Sequence, residues 1–331
     1  MTDLSVVIAA FDAAGTLGAQ LAALSRQRVD ADWEVLVADN GSTDGTRALA
    51  ESWADRLPGL RVIDASAHRG AGAARNVGVA AATGRDVLFC DADDVVADDW
   101  LAAMHRALGH QAFVAGRFAG DQLNSPRVLR SRTLPQQDGL QYSAHLPGLP
   151  HAGAGNLGVR RALFRAVGGF DPGALFLEDT DLCWRLQLAG VALGWAPEAV
   201  VQVRLRGTLR SALSQGYHYG SGERWLARRY RDQVRAAAAV APGPATVPAP
   251  DAATEPAPSS VTPVIPPHEP SHRLLHRALA TLRSLAGVRS LGELGAWCWD
   301  LGWGIGYAYA PVSDPAPVRI TPLAGPRTAA A

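Results

Sequence analysis

The chain contains no lysine. All 31 of its basic residues are arginine, and 31 acidic residues oppose them for a formal net charge of zero. A chain without net positive charge lacks the electrostatic footprint of a general nucleic-acid binder. Cysteine is scarce as well. Cys90, Cys183 and Cys298 are odd in number and far apart, which excludes a disulfide scaffold and a CxxC zinc site. No apolar run approaches the ~18–20 residues that span a bilayer. The first residues carry no basic flank, and the apolar run 6–11 is too short for an export core. These absences point to a reduced, cytosolic compartment. With 331 residues, 48% of them apolar, the chain is longer than one typical domain and can bury a full core.

The first hundred residues alternate regularly. Residues 4–10 form a near-continuous apolar run, as expected of a strand buried on both faces. Leu17, Leu21 and Leu24 fall at helical spacing within 16–26. A strand at 33–38, a helix at 43–53, a strand at 61–64, a helix at 71–82 and a strand at 86–90 follow. This predicts an α/β fold, a parallel sheet covered by helices, whose ligands bind beyond the carboxyl ends of the strands. Polar residues stand at those ends: Asp12 after the first strand, Asp39-Asn40-Gly41-Ser42 after the second, Asp91-Ala92-Asp93-Asp94 after the fourth. One such cluster fits a turn or an N-cap; three on one sheet edge indicate a site.

Beyond residue 110 the pattern predicts a strand at 112–118, a Pro-, Gly-, Ser- and Gln-rich loop over 121–150, and helices at 160–167 and 179–188. A strand at 199–205 and a long basic helix at 209–230 follow. Ten of the thirty residues 241–270 are proline, the composition of a disordered or extended spacer. Leu274, Leu275, Leu279 and Leu282 mark an amphipathic helix at 272–285, and 291–309 is rich in glycine and tryptophan.

Three motifs carry chemistry. Asp91-Ala92-Asp93-Asp94 offers hard carboxylate oxygens that suit Mg²⁺ or Mn²⁺; it equally fits a polar turn that caps the next helix. Gly70-Ala71-Gly72-Ala73-Ala74-Arg75-Asn76 lacks the third glycine of a dinucleotide-binding loop and follows the third strand, not the first. It reads instead as a helix start facing a phosphate, with Arg75 as a fixed positive charge. Glu178-Asp179-Thr180-Asp181 opens an apolar helix after the glycines of Val167-Gly168-Gly169-Phe170-Asp171. Its acids either complement the helix dipole or present a general base.

In order and spacing these blocks resemble the family 2 glycosyltransferases of the GT-A fold, over roughly residues 4–230. The blocks are Val6-Val7-Ile8-Ala9-Ala10-Phe11-Asp12, Val37-Ala38-Asp39-Asn40-Gly41-Ser42 with Thr43-Asp44-Gly45-Thr46, Gly72 to Gly78 running into Phe89-Cys90-Asp91-Ala92-Asp93-Asp94, and Gly168-Gly169-Phe170-Asp171 with Glu178-Asp179-Thr180-Asp181-Leu182. The resemblance implies inverting transfer of a sugar from a nucleotide diphosphate donor to a glycan or lipid-linked acceptor, in bacterial cell-envelope polysaccharide biosynthesis. It implies that Asp39 reads the nucleobase and Asp12 lies in the loop around base and ribose. Arg75, Asp91 and Ala92 would contact the nucleotide-sugar, and Asp91 and Asp93 (the DXD motif) would hold Mg²⁺ or Mn²⁺. Asp179 would be the catalytic base and Glu178 its neighbour. Trp184 reads as core packing. The implied organisation is a nucleotide-sugar-binding half at 1–110, an acceptor-binding half of the same GT-A domain at 111–236, a Pro-rich linker at 237–271 and a helical, Trp-rich tail at 272–331.

The chain departs from the family at three places. Ala9 and Phe11-Asp12 stand where Pro and Tyr-Asn are common, and Asp12 adds a negative charge near a diphosphate. Val201-Gln202-Val203-Arg204 holds no histidine where many members supply a further metal ligand, and no motif places His151 or His218 there. That absence leaves room for a non-catalytic sugar-nucleotide binder or scaffold. A sugar-nucleotide pyrophosphorylase would need a Gly-rich loop with a basic residue near the first strand, and the chain has none. The aromatic 291–309 segment and the Arg-bearing 272–289 helix fit peripheral contact with the inner face of a membrane; they fit equally well packed on the catalytic domain or a second subunit.

Overall fold

Alternation along each buried strand assigns its residues to two cores. In β1 (Leu4–Ala10), Leu4, Val6 and Ile8 enter the core on one face and Val7 the core on the other. In β4 (Asp86–Asp91), Leu88 and Cys90 take the first face, Val87 and Phe89 the second. An apolar run without a polar face is thus a strand covered on both sides. The computed structural model describes residues 2–240, 285, 288–318 and 322–323.

β1, β2 (Trp33–Asp39), β3 (Arg61–Asp64) and β4 run parallel in the order β3-β2-β1-β4. α1 (Leu17–Leu24), α2 (Thr46–Glu51) and α3 (Ala71–Ala81) lie between them in sequence. The register pairs Ala10 with Asp39 and Ala9 with Asp91, so the acid-bearing strand ends share one edge. α2 is shorter than its predicted span because Gly45, at a left-handed φ of 92°, breaks the helix at its start.

The sheet continues through β7 (Asn156–Arg160), β6 (Phe113–Ala119), β8 (Gly194–Gln202) and β5 (Val95–Val96). β7 is antiparallel to both β4 and β6, so this half is mixed. The pattern does not predict β5 or β7, which are two and five residues long. β8 begins at Gly194, ahead of the predicted strand. α4 (Trp100–His110), the short α5 (Pro126–Leu129) inside the 121–150 loop, α6 (Arg161–Ala166) and α7 (Glu178–Leu188) complete the layers. α8 (Leu209–Arg229) and α9 (Arg231–Val240) follow, and the predicted spacer beyond 240 and helix at 272–285 lie outside the described residues, save Leu285.

Residues 291–309 form one continuous helix, α10 (Leu291–Tyr309). Its glycines form the contact face. A Cβ at Gly302 or Gly306 would strike the carbonyls of Leu213 or Tyr217 on α8. One at Gly216 or Gly220 of α8 would strike those of Trp299 or Trp303. Two small-residue stripes four apart bring the backbones into contact. The tail helix therefore packs on the catalytic domain, one of the two readings the sequence allows. Among the described residues no helix is long and apolar enough to cross a membrane.

Candidate active site

The loops after β1 and β2 are laced together by their acids. Asp12 adopts a left-handed φ of 45°, a strained state for a residue with a Cβ. Its Oδ1 accepts the Thr43 N–H at 2.8 Å, and its own N–H donates to Ser42 Oγ at 3.0 Å. The Ala13 N–H donates to Thr46 Oγ1 and the Ala14 N–H to Asp44 Oδ2, at 2.7 and 2.9 Å. The Thr46 hydroxyl and then the Ala14 N–H hold the Asp44 carboxyl below its usual range. Asp39 is 5% exposed and accepts the Ser42 N–H through Oδ1 at 3.1 Å. Asn40 reaches the third loop, donating to the Ala65 and His68 carbonyls and accepting the Gly70 N–H. The charge that Asp12 adds is thus directed at a backbone donor. Phe11, beside it, is exposed.

The second cluster centres on Arg75. From α3 its buried guanidinium donates to Asp91 Oδ1 at 2.6 Å and to Glu178 Oε1 at 2.9 Å. It lies over the Phe170 ring, 5.5 Å from the centroid. One buried cation thereby joins the end of β4 to the start of α7. At that strand end, carboxylate oxygens of Asp91, Asp93 and Asp94 lie within 4.8 Å of one another. Burial and then Asp91 push the Asp93 carboxyl up. Burial, Asp91 and Asp93 push Asp94 well above its usual range, against the Arg204 N–H that donates to its Oδ1. Three crowded hard oxygens fit a divalent cation such as Mg²⁺ or Mn²⁺, whose charge would relieve that repulsion. A side chain at Gly155 would intrude, since a Cβ there would stand 2.7 Å from Asp91 Oδ2. Ala92 is buried with its methyl in the core, so it offers a ligand only main-chain atoms.

Local sequence explains how α7 presents its acids. Gly168 and Gly169 take left-handed φ values of 83° and 69°. Asn76, next to Arg75, clamps that turn: its Nδ2 donates to the Phe170 carbonyl and its Oδ1 accepts the Phe170 N–H. Arg185 donates to the Val167 and Gly169 carbonyls and pairs with Asp181. Buried Asp181 also takes Arg229 and the Tyr230 hydroxyl, so α7 is fixed from below. Its first residue after the strained Leu177, at φ 59°, is Glu178. Burial, and next the charge of Asp179, push the Glu178 carboxyl up to about 7, with Arg75 pulling the other way.

Asp179 accepts the Ala154 N–H through Oδ2 at 3.1 Å and the Thr180 N–H through Oδ1 at 2.7 Å. The 153–155 segment therefore touches both Asp179 and Asp91. His151 stands at the same place, its Nδ1 3.2 Å from Thr180 Oγ1; burial lowers its pKa. His218 stacks on Phe176 with centroids 4.2 Å apart. Among the described residues the acidic triad includes neither histidine. Trp184 is buried, its indole N–H on the Leu149 carbonyl.

The structure thus joins Asp91 and Glu178 through Arg75, gathers Asp93 beside Asp91, and sets Asp179 next to Glu178 on α7, with Asp12 and Asp39 at the ends of the neighbouring strands of the same sheet. Sequence reasoning gave no separate role to Asp94, Asn76 and Arg185, and it passed over Gly155. The first three stand inside or beside motifs and Gly155 sits between Ala154 and Asn156, yet nothing along the chain names their partners.

Residues 5–168 match the profile of the family described as Glycosyl transferase family 2. A pre-mycofactocin glycosyltransferase of Mycobacterium tuberculosis is 31% identical over 210 residues, 60% of this chain and 43% of that protein. The UDP-Glc:alpha-D-GlcNAc-diphosphoundecaprenol beta-1,3-glucosyltransferase of Escherichia coli is 30% identical over 99 residues, 30% of this chain and 36% of that one. This chain thus spans less than half the length of either relative. Among solved structures, the mannosyltransferase of Pyrobaculum calidifontis in complex with GDP-Man and Mn²⁺ superposes with a TM-score of 0.57 at 18% identity, covering 93% of this chain and 89% of that one. The fold is of the GT-A type, and the chain belongs to glycosyltransferase family 2.

Proposed function

We propose that the protein transfers a sugar from a nucleoside diphosphate donor to a hydroxyl of a glycan or lipid-linked acceptor, with inversion at the anomeric carbon. The observation that carries this is Arg75, which holds Asp91 and Glu178 on one buried guanidinium and so sets the acidic strand end against the first turn of α7. The donor nucleotide lies over residues 1–110, with Asp39 and Asp12 in the loops around base and ribose, and the acceptor over 111–236. Asp91 and Asp93 hold the divalent cation, which when bound offsets the charge of the leaving diphosphate. Asp179 takes the acceptor hydroxyl proton as attack proceeds; its bonds from Ala154 and Thr180 fix its direction. One base serves a single displacement, whereas a double displacement needs a second carboxylate as nucleophile. The GDP-Man complex of the mannosyltransferase and the lipid-linked substrate in the name of the glucosyltransferase support the donor and acceptor classes.

A second reading makes Glu178 the base, because its carboxyl is pushed up to about 7, near the operating pH. One experiment separates the two. Purified protein is incubated with UDP-, GDP- and dTDP-sugars, with and without Mn²⁺, and nucleoside diphosphate release is scored for wild type, Asp179→Asn and Glu178→Gln. Loss of turnover confined to Asp179→Asn supports the first reading. Loss confined to Glu178→Gln supports the second, and no release with any donor overturns both.

A further inference from the structure

A recess separate from the acidic pocket lies between α5, the start of α8 and the first turns of α10. Arg127, Ser131, Arg132, Arg206 and Thr208 line it, together with apolar residues such as Leu291. Its lining includes no carboxylate, and among the described residues none of the three arginines is in an ion pair. Arg132 is held in place from both ends of its fork: it donates to Gln215 and, at 3.1 Å, to the Arg206 carbonyl. Its Nε is buried with no hydrogen-bond partner among the described residues. A buried donor left unmade is costly, and an anion would satisfy it. Burial pushes the Arg132 guanidinium down from its usual range; the Tyr219 hydroxyl opposes this and the nearby Arg206 charge adds to it. The recess opens beside the N-terminus of α8, where backbone N–H groups and the helix dipole favour negative charge.

The recess is a shallow depression open to solvent, far smaller than the ~300–1,000 Å³ pockets that engulf a whole ligand. It suits a charged group carried on a larger molecule. It also borders the catalytic edge from the β8 side. Arg204, two residues from Arg206, donates its backbone N–H to Asp94 and its Nε to the Asp93 carbonyl. None of the residues around it comes from the loops that follow β1 and β2.

We propose that this recess binds a phosphoryl group of the acceptor, a phosphomonoester or diphosphate separate from that of the donor, through Arg127, Arg132 and Arg206. The assignment to the acceptor rests on the sugar-transfer reading above; the anion site does not. Arginine forks pair bidentately with phosphate oxygens.

The test is calorimetric titration of the full chain with sn-glycerol 3-phosphate and with inorganic phosphate, in EDTA so that metal-bound diphosphate does not compete. Arg127 and Arg206 are exposed, so Arg127→Gln/Arg206→Gln is expected to fold, and it should weaken both ligands about 10-fold or more. Arg132→Lys should retain more affinity than Arg132→Gln. Donor hydrolysis without acceptor should be the same in Arg127→Gln/Arg206→Gln as in wild type. Co-sedimentation with phosphatidylglycerol but not phosphatidylcholine vesicles, lost in that double variant, places the phosphoryl group on a lipid. Glycerol phosphate binding without vesicle binding places it on a soluble acceptor. Equal phosphate affinity in wild type and the double variant overturns the proposal, as does loss of donor hydrolysis in that variant, which would assign the arginines to the donor. If the wild type hydrolyses no nucleotide-sugar, the transfer reading fails and the phosphate titrations still decide the anion site.

Discussion

Two sets of carboxylates stand on one edge of the same sheet and are treated in opposite ways. After β1 and β2, Asp12, Asp39 and Asp44 each accept backbone N–H groups, and the Asp44 carboxyl is held low. After β4, Asp91, Asp93 and Asp94 crowd one another, and Arg75 ties Asp91 to Glu178 at the head of α7. The carboxyls of Asp93, Asp94 and Glu178 are pushed up. The first set consumes its charge in shaping loops; the second keeps charge in reserve. The role of an aspartate is decided by what points at it, not by its place in a motif.

The contrast can be broken at several points, and the largest effect is expected at the reserve set. Asp179→Asn should lower sugar transfer by about 10²–10⁴-fold while donor affinity, read by titration, stays close to wild type. Wild-type turnover in that variant would remove Asp179 from the chemistry. Arg75→Met leaves a half-buried Asp91 and a largely buried Glu178 without their cation and should cost about 3 kcal/mol in urea unfolding at pH 8. The loss should shrink toward pH 5, where Glu178 carries a proton.

Glu178→Gln probes the same balance from the other side. Because the Glu178 carboxyl is raised in the fold to about 7, the folded state keeps its proton over a range where the unfolded chain has lost it. Its contribution to stability therefore falls between about pH 4.5 and 7 and is flat above. The neutral amide removes that slope and should stabilise the protein at pH 8 by on the order of 2 kcal/mol. A pH profile of unfolding identical to wild type would contradict the electrostatic assignment. Gly155→Ala pushes a methyl toward Asp91 and should weaken Mn²⁺ binding about 10-fold, measured by calorimetry, if the triad is the cation site. The smallest change belongs to the loop-shaping set. Asp12→Asn keeps an oxygen for the Thr43 N–H and should move the melting temperature by about 2 °C or less. A large drop would mean that its charge, and not only its acceptor, holds the loop.

Much of this was legible along the chain. The apolar runs of β1, β2 and β4, and the acids that follow them, place the site edge because a doubly covered parallel strand has no other sequence signature. The glycines at 168–169 announce a turn, and the acids after it a helix start. What stayed hidden is what depends on distant partners. Arg75 meets acids 16 and 103 residues away. β7 enters between β4 and β6 only because the chain returns antiparallel, and five residues carry no sign of it. The glycines of 291–309 look like breaks until α8 supplies the matching stripe.

By itself, then, the order of residues determined most of the helices and the long buried strands, and where acids, glycines and apolar stripes fall, because those follow from local periodicity and backbone freedom. Only the tertiary structure decided which carboxylates would be quenched by N–H donors and which would be gathered around one guanidinium. Electrostatic environment depends on separation in space, and distance along the chain does not encode it.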